Sequence, residues 1–401
     1  MRIVITGAKR TPFGRYQGAL SETEPLDLAV HAARAALEAA GAAAREVDQI
    51  FVGNCIPGAF EAASVTGRQI GLKLGRDVFT TTIDTACCSP LTALRMALWG
   101  FRLGEIRSAL VVGVESMSRV PHVSRQLRAG VRIGEVKLVD PIFPITYPGY
   151  NPVSVDASDG AEKHGVSKHM LDAFAMGSHL KWAAAARAGR FSDELAPIRA
   201  RKGRQEVLVS EDEQPRADGS MARIGMLPTV FGSKTTTAGN APGLNDGAAA
   251  VVVTTEERAR ELGAPVLAEL VDQAGVTDAP NGISWIPAAA IRKVLERNRL
   301  RADDVDLIEI NEAFAAMPLV STRILAEGDE ARWLRLLERT NVNGGAVAIG
   351  HPVGASGLRI LMTMVYELRR RGGGQGVCAI CGGLTQGEAA LVRVAGEGGA
   401  R

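Results

Sequence analysis

The sequence predicts two similar α/β halves packed together, with a loop-rich segment inserted between them. A pattern of helix, turn and buried strand recurs at a constant spacing of 258 residues, so that Leu37 corresponds to Leu295 and Val52 to Ile310. A second pattern, an amphipathic helix followed by a glycine turn and an apolar strand, follows in each half, over 85–116 and 353–384. Helices that alternate with continuous apolar strands are typical of α/β layers with buried sheets.

The segment between the halves, residues 119–240, has a different composition. It is rich in Pro, Gly, Arg and Lys, and one clear helical pattern lies near Lys168 to Ala188. Its basic residues indicate either a phosphate site or a solvated charged face. The stretch GLNDGAAAVVVTTEERARELG that follows reads as a turn, a buried strand and a capped helix, and should rejoin the first half. We therefore divide the chain into an N-terminal half (1–118 and 241–268), an inserted loop domain (119–240) and a C-terminal half (269–401).

Composition excludes several classes of function. The 401 residues include 46 basic and 44 acidic side chains, a formal net charge of +2, which gives no indication of a nucleic-acid or membrane-surface partner. The chain starts directly with an apolar strand, and no apolar stretch approaches the ~18 residues of a membrane span, so we expect a cytoplasmic protein. Five cysteines in such a chain are expected to be free thiols.

Two adjacent cysteines, Cys87 and Cys88, stand where an extended run over 78–83 gives way to a helix predicted from about Leu91. Backbone amides and the dipole of a helix start favour anions and would lower the pKa of a cysteine there toward a reactive thiolate. Buried cysteines are also common as small apolar side chains, and this stretch alone does not decide between the two interpretations.

Two further polar residues lie at a strand end and in a glycine-rich loop. Asn311 directly follows the strand predicted over Val305 to Ile310, where it could serve an oxyanion site or be an ordinary helix N-cap. His351 lies in the stretch NVNGGAVAIGHPVGASG, whose glycines allow close approach of the backbone to a ligand. This context favours a catalytic base over a stray surface histidine.

A Cys-x-x-Cys, Cys378 and Cys381, ends an apolar strand, so zinc and redox functions have to be considered. In a strand, a separation of three points the two side chains to opposite faces, which makes a disulfide improbable. Zinc would need two more ligands, and the adjacent pair Cys87 and Cys88 is poor geometry for them. Cys381, followed by Gly382 and Gly383, is better placed to be reactive, and Cys378 to pack in the sheet.

Taken in order, Cys-x-Ser, Asn-Glu-Ala-Phe, Gly-His-Pro and Cys-x-Gly resemble the four active-site loops of the thiolase family, the acetyl-CoA acetyltransferases and 3-ketoacyl-CoA thiolases. The resemblance covers nearly the whole chain, including RTPFG, GVESMS and GLNDGAAA. It implies a thiolase-like fold, with duplicated halves in a layered α/β/α/β/α arrangement and an inserted loop domain for CoA binding and oligomerisation. It also implies reversible acyl transfer between CoA thioesters, with CoA, acetyl-CoA and acyl-CoA as substrates and no cofactor or metal.

The resemblance assigns a role to each candidate residue. Cys87 would be the acyl-accepting nucleophile, His351 its activating base, and Cys381 the acid and base at the substrate α-carbon. Asn311 would hold the water of one oxyanion hole together with His351, and the backbone amides of Cys87 and Gly383 would form the other. Thioester transfer through a tetrahedral oxyanion needs such a thiol, base and donors, and carbon–carbon bond formation needs the second base.

Four positions depart from the family pattern. Pro90 stands where the family usually has glycine, Pro152 and Val153 where it has a His-Met pair near the pantetheine, and Pro242 where it has serine. These departures leave the chemistry intact and indicate altered substrate contacts. A basic arm, Arg119 to Lys137, is of the kind that the family uses between dimers, so a homodimer or homotetramer is expected.

Two rival functions are a related enzyme and, from another class, a non-catalytic subunit. A carrier-dependent ketosynthase pairs its cysteine with two histidines, whereas this chain offers one histidine in the right region together with Cys381. A non-catalytic subunit that binds acyl-CoA would fit the altered binding positions, but the intact catalytic motifs argue against it.

Overall fold

The computed structural model describes residues 1–142, 147–216 and 219–396. These ranges contain twelve strands and twelve α-helices. The strands are β1 (Ile3–Arg10), β2 (Gly14–Arg15), β3 (Gln49–Gly53), β4 (Phe79–Ile83), β5 (Ser108–Ser116), β6 (Ile198–Lys202), β7 (Gln205–Val209), β8 (Asn245–Thr255), β9 (Ala268–Thr277), β10 (Leu307–Ile310), β11 (Gly374–Gly382) and β12 (Gln386–Val394). The helices are α1 (Pro25–Ala40), α2 (Thr66–Lys73), α3 (Ser89–Leu103), α4 (Val153–Lys163), α5 (Lys168–Arg187), α6 (Met221–Gly225), α7 (Glu256–Leu262), α8 (Ile286–Arg297), α9 (Ala316–Leu325), α10 (Glu330–Glu338), α11 (Ala346–Ile349) and α12 (Ser356–Arg370).

The large sheet repeats one topology in its two halves. Strands β4-β3-β5-β8-β1 form the first half and β10-β11-β12-β9 the second, and antiparallel pairing of β1 with β9 joins them. In each half one strand before the motif helix and the strand after it are parallel neighbours (β3 with β5, β10 with β11). The strand after the motif helix then pairs antiparallel with the next strand (β5 with β8, β11 with β12). A parallel bridge from Ile308 to Thr340 takes the place that β4 has beside β3. The predicted duplication is confirmed.

Five layers follow from the way the helices cover these half-sheets. Helix α1 packs on the outer face of β1, β5 and β8, and α8 on the outer face of β9, β11 and β12. Helices α3 and α12 lie side by side in the middle and contact strands of both halves. The predicted α/β/α/β/α arrangement is therefore confirmed. Both central helices begin at residues of the predicted catalytic loops, which brings those loops together.

Three clusters of buried apolar side chains correspond to the three helical layers. The central cluster combines α3, α12 and the inner faces of both half-sheets, with Leu94, Leu361 and Ile380 among its members. The outer clusters lie under α1 and under α8. Each fully buried leucine or isoleucine contributes about 1.5–3 kcal/mol relative to an exposed one. The catalytic loops are thus held by two helices of the central buried cluster.

Several element boundaries differ from the sequence-based expectations. Helix α3 begins at Ser89 rather than near Leu91, because Pro90 fits the first helical turn. Strand β10 begins at Leu307, two residues later than the predicted Val305, and a 3₁₀ turn over 302–304 precedes it. Helix α5 confirms the predicted helix near Lys168 to Ala188, whereas α4 and the β6–β7 hairpin were not predicted from their largely polar sequences.

The segment between β5 and β8 holds α4, α5, α6 and the β6–β7 hairpin, all outside the large sheet. The predicted domain boundaries remain a proposal, and residues 143–146, 217–218 and 397–401 of those domains lie outside the described residues. Within the described ranges, no helix combines the length and the apolar character needed to cross a lipid bilayer.

Candidate active site

The two adjacent cysteines lie in a tight loop between β4 and α3. The hydroxyl of Ser89 accepts a hydrogen bond from the Thr85 amide at 2.9 Å and donates to the Ala86 carbonyl at 2.5 Å, and Ala86 has a left-handed backbone with φ of 53°. A non-glycine residue in that region is strained, which is typical of functional loops. Cys87 remains partly exposed, whereas Cys88 is fully buried, with its Sγ 3.5 Å from the Ile380 carbonyl oxygen. The two thiols therefore face different surroundings.

The Cys87 thiol is not ionised in advance. Burial, followed by the charge of Glu115 and more weakly that of Asp84, raises the pKa of Cys87 to about 12. The sequence-based expectation of a lowered pKa at the helix start is therefore wrong, because the loss of solvation outweighs the effect of the helix start. A base has to remove this proton during the reaction.

His351 offers an unprotonated ring nitrogen. Ser356 Oγ donates to the Pro352 carbonyl at 3.0 Å, so it accepts from His351 Nδ1–H at 2.6 Å, and the lone pair is on Nε2. The His351 amide donates to Asn245 Oδ1 at 2.8 Å, which fixes the loop. Burial and then the charge of Arg359 lower the pKa of His351 to about 3. The imidazole is therefore neutral and is available as a base at physiological pH.

Asn311 points its amide at this imidazole. Its Nδ2 lies 3.4 Å from His351 Nε2, and its Oδ1 accepts from Arg359 Nη2 at 3.3 Å. Helix α9 starts only at Ala316, after an N-cap at Ala315, so the alternative of an ordinary N-cap for Asn311 is wrong. Asn311 Nδ2 is a donor and His351 Nε2 an acceptor, so together they can bind a water molecule, and Nε2 becomes a donor to an oxyanion once it has taken up a proton.

Cys378 and Cys381 lie on opposite faces of β11, as the sequence predicts. Cys378 belongs to the central apolar cluster, and Cys381 to the cluster under α8. Burial and then the charge of Cys87 raise the pKa of Cys381, so these two thiols share one electrostatic environment. All five cysteines are free thiols, and the described part of the chain holds no group of three or more metal-binding side chains.

Gly383 follows β11 and lies under the ring of Tyr147. A Cβ at Gly383 would overlap the Tyr147 hydroxyl and lie 2.7 Å from its Cζ atom. A Cβ at the neighbouring Gly382 would lie 3.0 Å from Cys88 Sγ. The backbone of 382–383 is thus enclosed between the Cys88 side chain and Tyr147, and only glycine allows this approach.

Sequence reasoning missed the residues that hold these groups in place. Ser356 and Arg359 follow His351 on α12, and Asn245 lies in the GLNDG stretch. Glu115, in GVESMS, is fully buried and accepts hydrogen bonds from the amides of Cys55 at 3.1 Å and Gly354 at 3.2 Å. The signal that could have found them is the presence of polar side chains in otherwise apolar strands and helix starts.

The site combines a partly exposed thiol on a strained loop, a neutral imidazole fixed in one tautomer, an amide and a second, buried thiol. This combination is that of an enzyme that transfers acyl groups through cysteine. Comparison with known families is more specific. Residues 3–257 match the model of the thiolase N-terminal domain, and residues 264–394 match that of the thiolase C-terminal domain. The chain belongs to the thiolase family.

Individual relatives are similar over their whole length. A probable acetyl-CoA acetyltransferase of Escherichia coli K12 is 39% identical, with 97% of this chain and 98% of that protein covered. The mitochondrial 3-ketoacyl-CoA thiolase of Bos taurus is 36% identical over 97% and 98% of the two chains. The crystal structure of the human mitochondrial 3-ketoacyl-CoA thiolase has a TM-score of 0.92 at 35% identity and covers 98% of this chain and 99% of that one. The human enzyme is also known in complex with CoA, with a TM-score of 0.90 at 35% identity and coverage of 98% of both chains.

Proposed function

We propose that this thiolase catalyses the reversible conversion of acyl-CoA and acetyl-CoA into 3-ketoacyl-CoA and CoA through an acyl group on Cys87. The observation that carries this proposal is the fixed tautomer of His351, because an Nδ1–H bound to Ser356 leaves the Nε2 lone pair as a proton acceptor. A neutral thiol and a neutral base fit a mechanism in which the proton moves as the thioester is attacked.

In the first half-reaction, Cys87 Sγ attacks the thioester carbonyl while His351 Nε2 takes the thiol proton. The tetrahedral oxyanion collapses, the bond from carbon to the CoA sulfur breaks, and CoA leaves with the proton of the Cys381 thiol, while His351 keeps the proton from Cys87 and Cys381 becomes a thiolate. Asn311 and His351 would bind one oxyanion through a water, and the amides of Cys87 and Gly383 the other. Preorganised donors of this kind contribute a large share of rate acceleration in acyl transfer.

In the second half-reaction, Cys381 removes an α-proton from acetyl-CoA. The resulting carbanion attacks the acyl carbon on Cys87, a carbon–carbon bond forms, and the bond to Cys87 Sγ breaks. His351 returns its proton to the sulfur, which restores the neutral thiol. Cys381 suits the role because a thiol whose pKa is raised by burial is a strong base once it is deprotonated.

The substrate contacts are proposed to differ from those of a plain acetoacetyl-CoA thiolase. Pro152 is the N-cap of α4 and Val153 its first residue, so the positions of the usual His-Met pair form an apolar helix start. Together with Pro242 they favour 3-ketoacyl groups that are longer or branched. We further propose a cytoplasmic homodimer or homotetramer that needs no metal, in which the exposed basic arm from Arg119 to Lys137 contributes to assembly.

The test is thiolysis of acetoacetyl-CoA and longer 3-ketoacyl-CoA by the purified chain, followed as loss of the ketoacyl thioester in the presence of CoA. The two thiols of β11 offer a matched pair of variants. Cys381→Ala should abolish turnover but still allow acetylation of Cys87, whereas Cys378→Ala should retain activity within a few-fold. Absence of turnover with every CoA thioester, or equal effects of the two substitutions, would contradict the proposal.

A further inference from the structure

A buried arginine beside the active site has few partners of its own. Arg359 lies in α12 with none of its surface exposed. Its Nη2 donates to Asn311 Oδ1 at 3.3 Å, and its Nη1 lies 3.7 Å from Glu309 Oε2, whereas Nε and Nη1 have no hydrogen-bond partner among the described residues. Removing a guanidinium from water costs several kcal/mol, which these contacts recover only in part. Stability alone therefore gives little reason for a cation here.

The contact with Arg359 determines which way the Asn311 amide faces. A guanidinium has only donors, so the atom of Asn311 that faces it must be the oxygen. The amide nitrogen then faces His351 Nε2, which is an acceptor in the tautomer set by Ser356. If the amide were reversed, two donors would meet at Arg359 and two acceptors at His351. Without the Arg359 guanidinium, no contact on that side of Asn311 would determine which way its amide faces.

Helix α12 holds both His351 and Asn311 in place. Ser356 and Arg359 are three residues apart in α12 and therefore lie on the same helix face. Ser356 bonds to the imidazole, and Arg359 bonds to the amide that meets it. Because α12 is buried in the central layer, its position is rigid, and so is the arrangement of the two side chains.

For the reaction proposed above, and resting on it, we propose that Arg359 is a positioning residue. Its guanidinium holds the Asn311 amide with Nδ2 toward His351 Nε2, and Glu309 on β10 holds the guanidinium. Once Nε2 has taken the thiol proton, both nitrogen atoms present N–H donors to the oxyanion that forms in the acyl-transfer steps, without reorganising first.

The positive charge of Arg359 also affects the protonation of His351. Glu309, Glu194, Glu312 and Arg10 are the charged groups that act on Arg359, and Lys181 also acts on Glu309. Burial raises the pKa of Glu309 to about 8, so this carboxyl only partly neutralises the cation near pH 7. Arg359 therefore disfavours the imidazolium form of His351, and its removal should raise the pKa of His351.

Three substitutions separate these effects. Arg359→Met removes both the donor and the charge, Arg359→Lys keeps the charge but replaces the planar guanidinium with a compact ammonium group, and Arg10→Lys is the matched control. Arg10 is equally buried but bonds to Glu194 and Asp212, at 2.8 and 2.6 Å, and donates nothing to the active site. Thermal unfolding of each variant identifies the ones that fold. Values of kcat and KM for 3-ketoacyl-CoA thiolysis are then measured separately.

The second readout does not depend on activity. Slow deuterium exchange at the imidazole Cε1, followed by mass spectrometry from pH 3 to 8, reports the titration of His351. We expect kcat to fall about 10- to 100-fold in Arg359→Met with little change in KM, as for other misplaced catalytic groups. We expect the titration midpoint of His351 to rise by about 1 pH unit or more. Arg359→Lys should lose kcat but keep the low midpoint, and Arg10→Lys should change neither.

The experiments distinguish a failure of the proposed thiolase function from a failure of the proposed role of Arg359. A wild-type protein without thiolase activity would contradict the proposed function, and histidine exchange would still test the effect of Arg359. An active wild type, together with an Arg359→Met variant whose kcat and His351 midpoint are unchanged, would overturn the inference. A loss of kcat that is equal in Arg359→Lys and Arg10→Lys would also overturn it, because the cause would then be general destabilisation.

Discussion

Substitution of Gly383 by alanine should disturb the site through one identifiable contact. The backbone of Gly383 is outside the left-handed region, so alanine can adopt its backbone conformation without strain. The added methyl group would overlap the Tyr147 hydroxyl and lie 2.7 Å from Cζ and 2.9 Å from Cε2, where ordinary contact begins at 3.4 Å. Either the ring or the 382–383 backbone must move by about 0.7 Å or more. A shift of that size at an oxyanion donor should cost about 10- to 100-fold in kcat/KM, or ~1.4–2.8 kcal/mol.

A double-mutant cycle assigns the loss to Tyr147. We expect Gly383→Ala to lose activity by that factor, Tyr147→Ala to lose much less, and the double variant to recover most of the loss. The measurement is kcat/KM for thiolysis, with thermal unfolding to confirm that each variant folds. If Gly383→Ala reduces activity equally in the presence and absence of the Tyr147 ring, the steric explanation is refuted.

Three other experiments test the active site and the stability of the fold that holds it. Ser356→Ala removes the acceptor 2.6 Å from His351 Nδ1, so kcat should fall about 10- to 100-fold in steady-state kinetics, and an unchanged kcat would contradict the fixed tautomer. Alkylation of Cys87 by iodoacetamide, followed by mass spectrometry, should accelerate continuously from pH 6 to 9, because burial and then the charge of Glu115 raise its pKa to about 12; a rate independent of pH would indicate a preformed ion pair. Burial acts to raise the pKa of Glu367, but hydrogen bonds from asparagine and arginine side chains outweigh it and lower this pKa to about 2, from an ordinary 4.5. The ionised Glu367 carboxylate therefore stabilises the fold fully above pH 4.5, and this stabilisation is lost as the pH falls through 2. Glu367→Gln should therefore lower the free energy of unfolding by about 1–3 kcal/mol at pH 7, with a difference from wild type that shrinks in acid; a constant difference in denaturant titrations would contradict this.

The duplication and the layered fold could be predicted because both leave local signals. The same buried strand pattern appears at Val52 and Ile310, and in the structure the two strands hold equivalent places in their half-sheets. The alternation of side chains along a strand also predicted that Cys378 and Cys381 face opposite ways. Periodicity was sufficient in these cases, because the face of a strand depends only on sequence spacing.

Long-range effects were not accessible in the same way. The helix start beside Cys87 suggested a lowered pKa, but burial and then the charge of Glu115 reverse the direction. Arg359 read as one more helix residue, because its partners Asn311 and Glu309 are about 50 residues away in sequence and meet it only in the folded chain. Desolvation and side-chain networks depend on contacts that a single sequence does not reveal.

The most direct test of the account is the location of the acyl group after brief incubation with acetyl-CoA. Cys87 and Cys88 fall in one tryptic peptide, 77–95, so fragment ions are needed to distinguish them. We expect one added acetyl group on Cys87, its loss in Cys87→Ala, and its retention in Cys88→Ala, since the Cys88 thiol is fully buried and directed at β11. An acetyl group on Cys88, or one that persists in Cys87→Ala, would contradict the account.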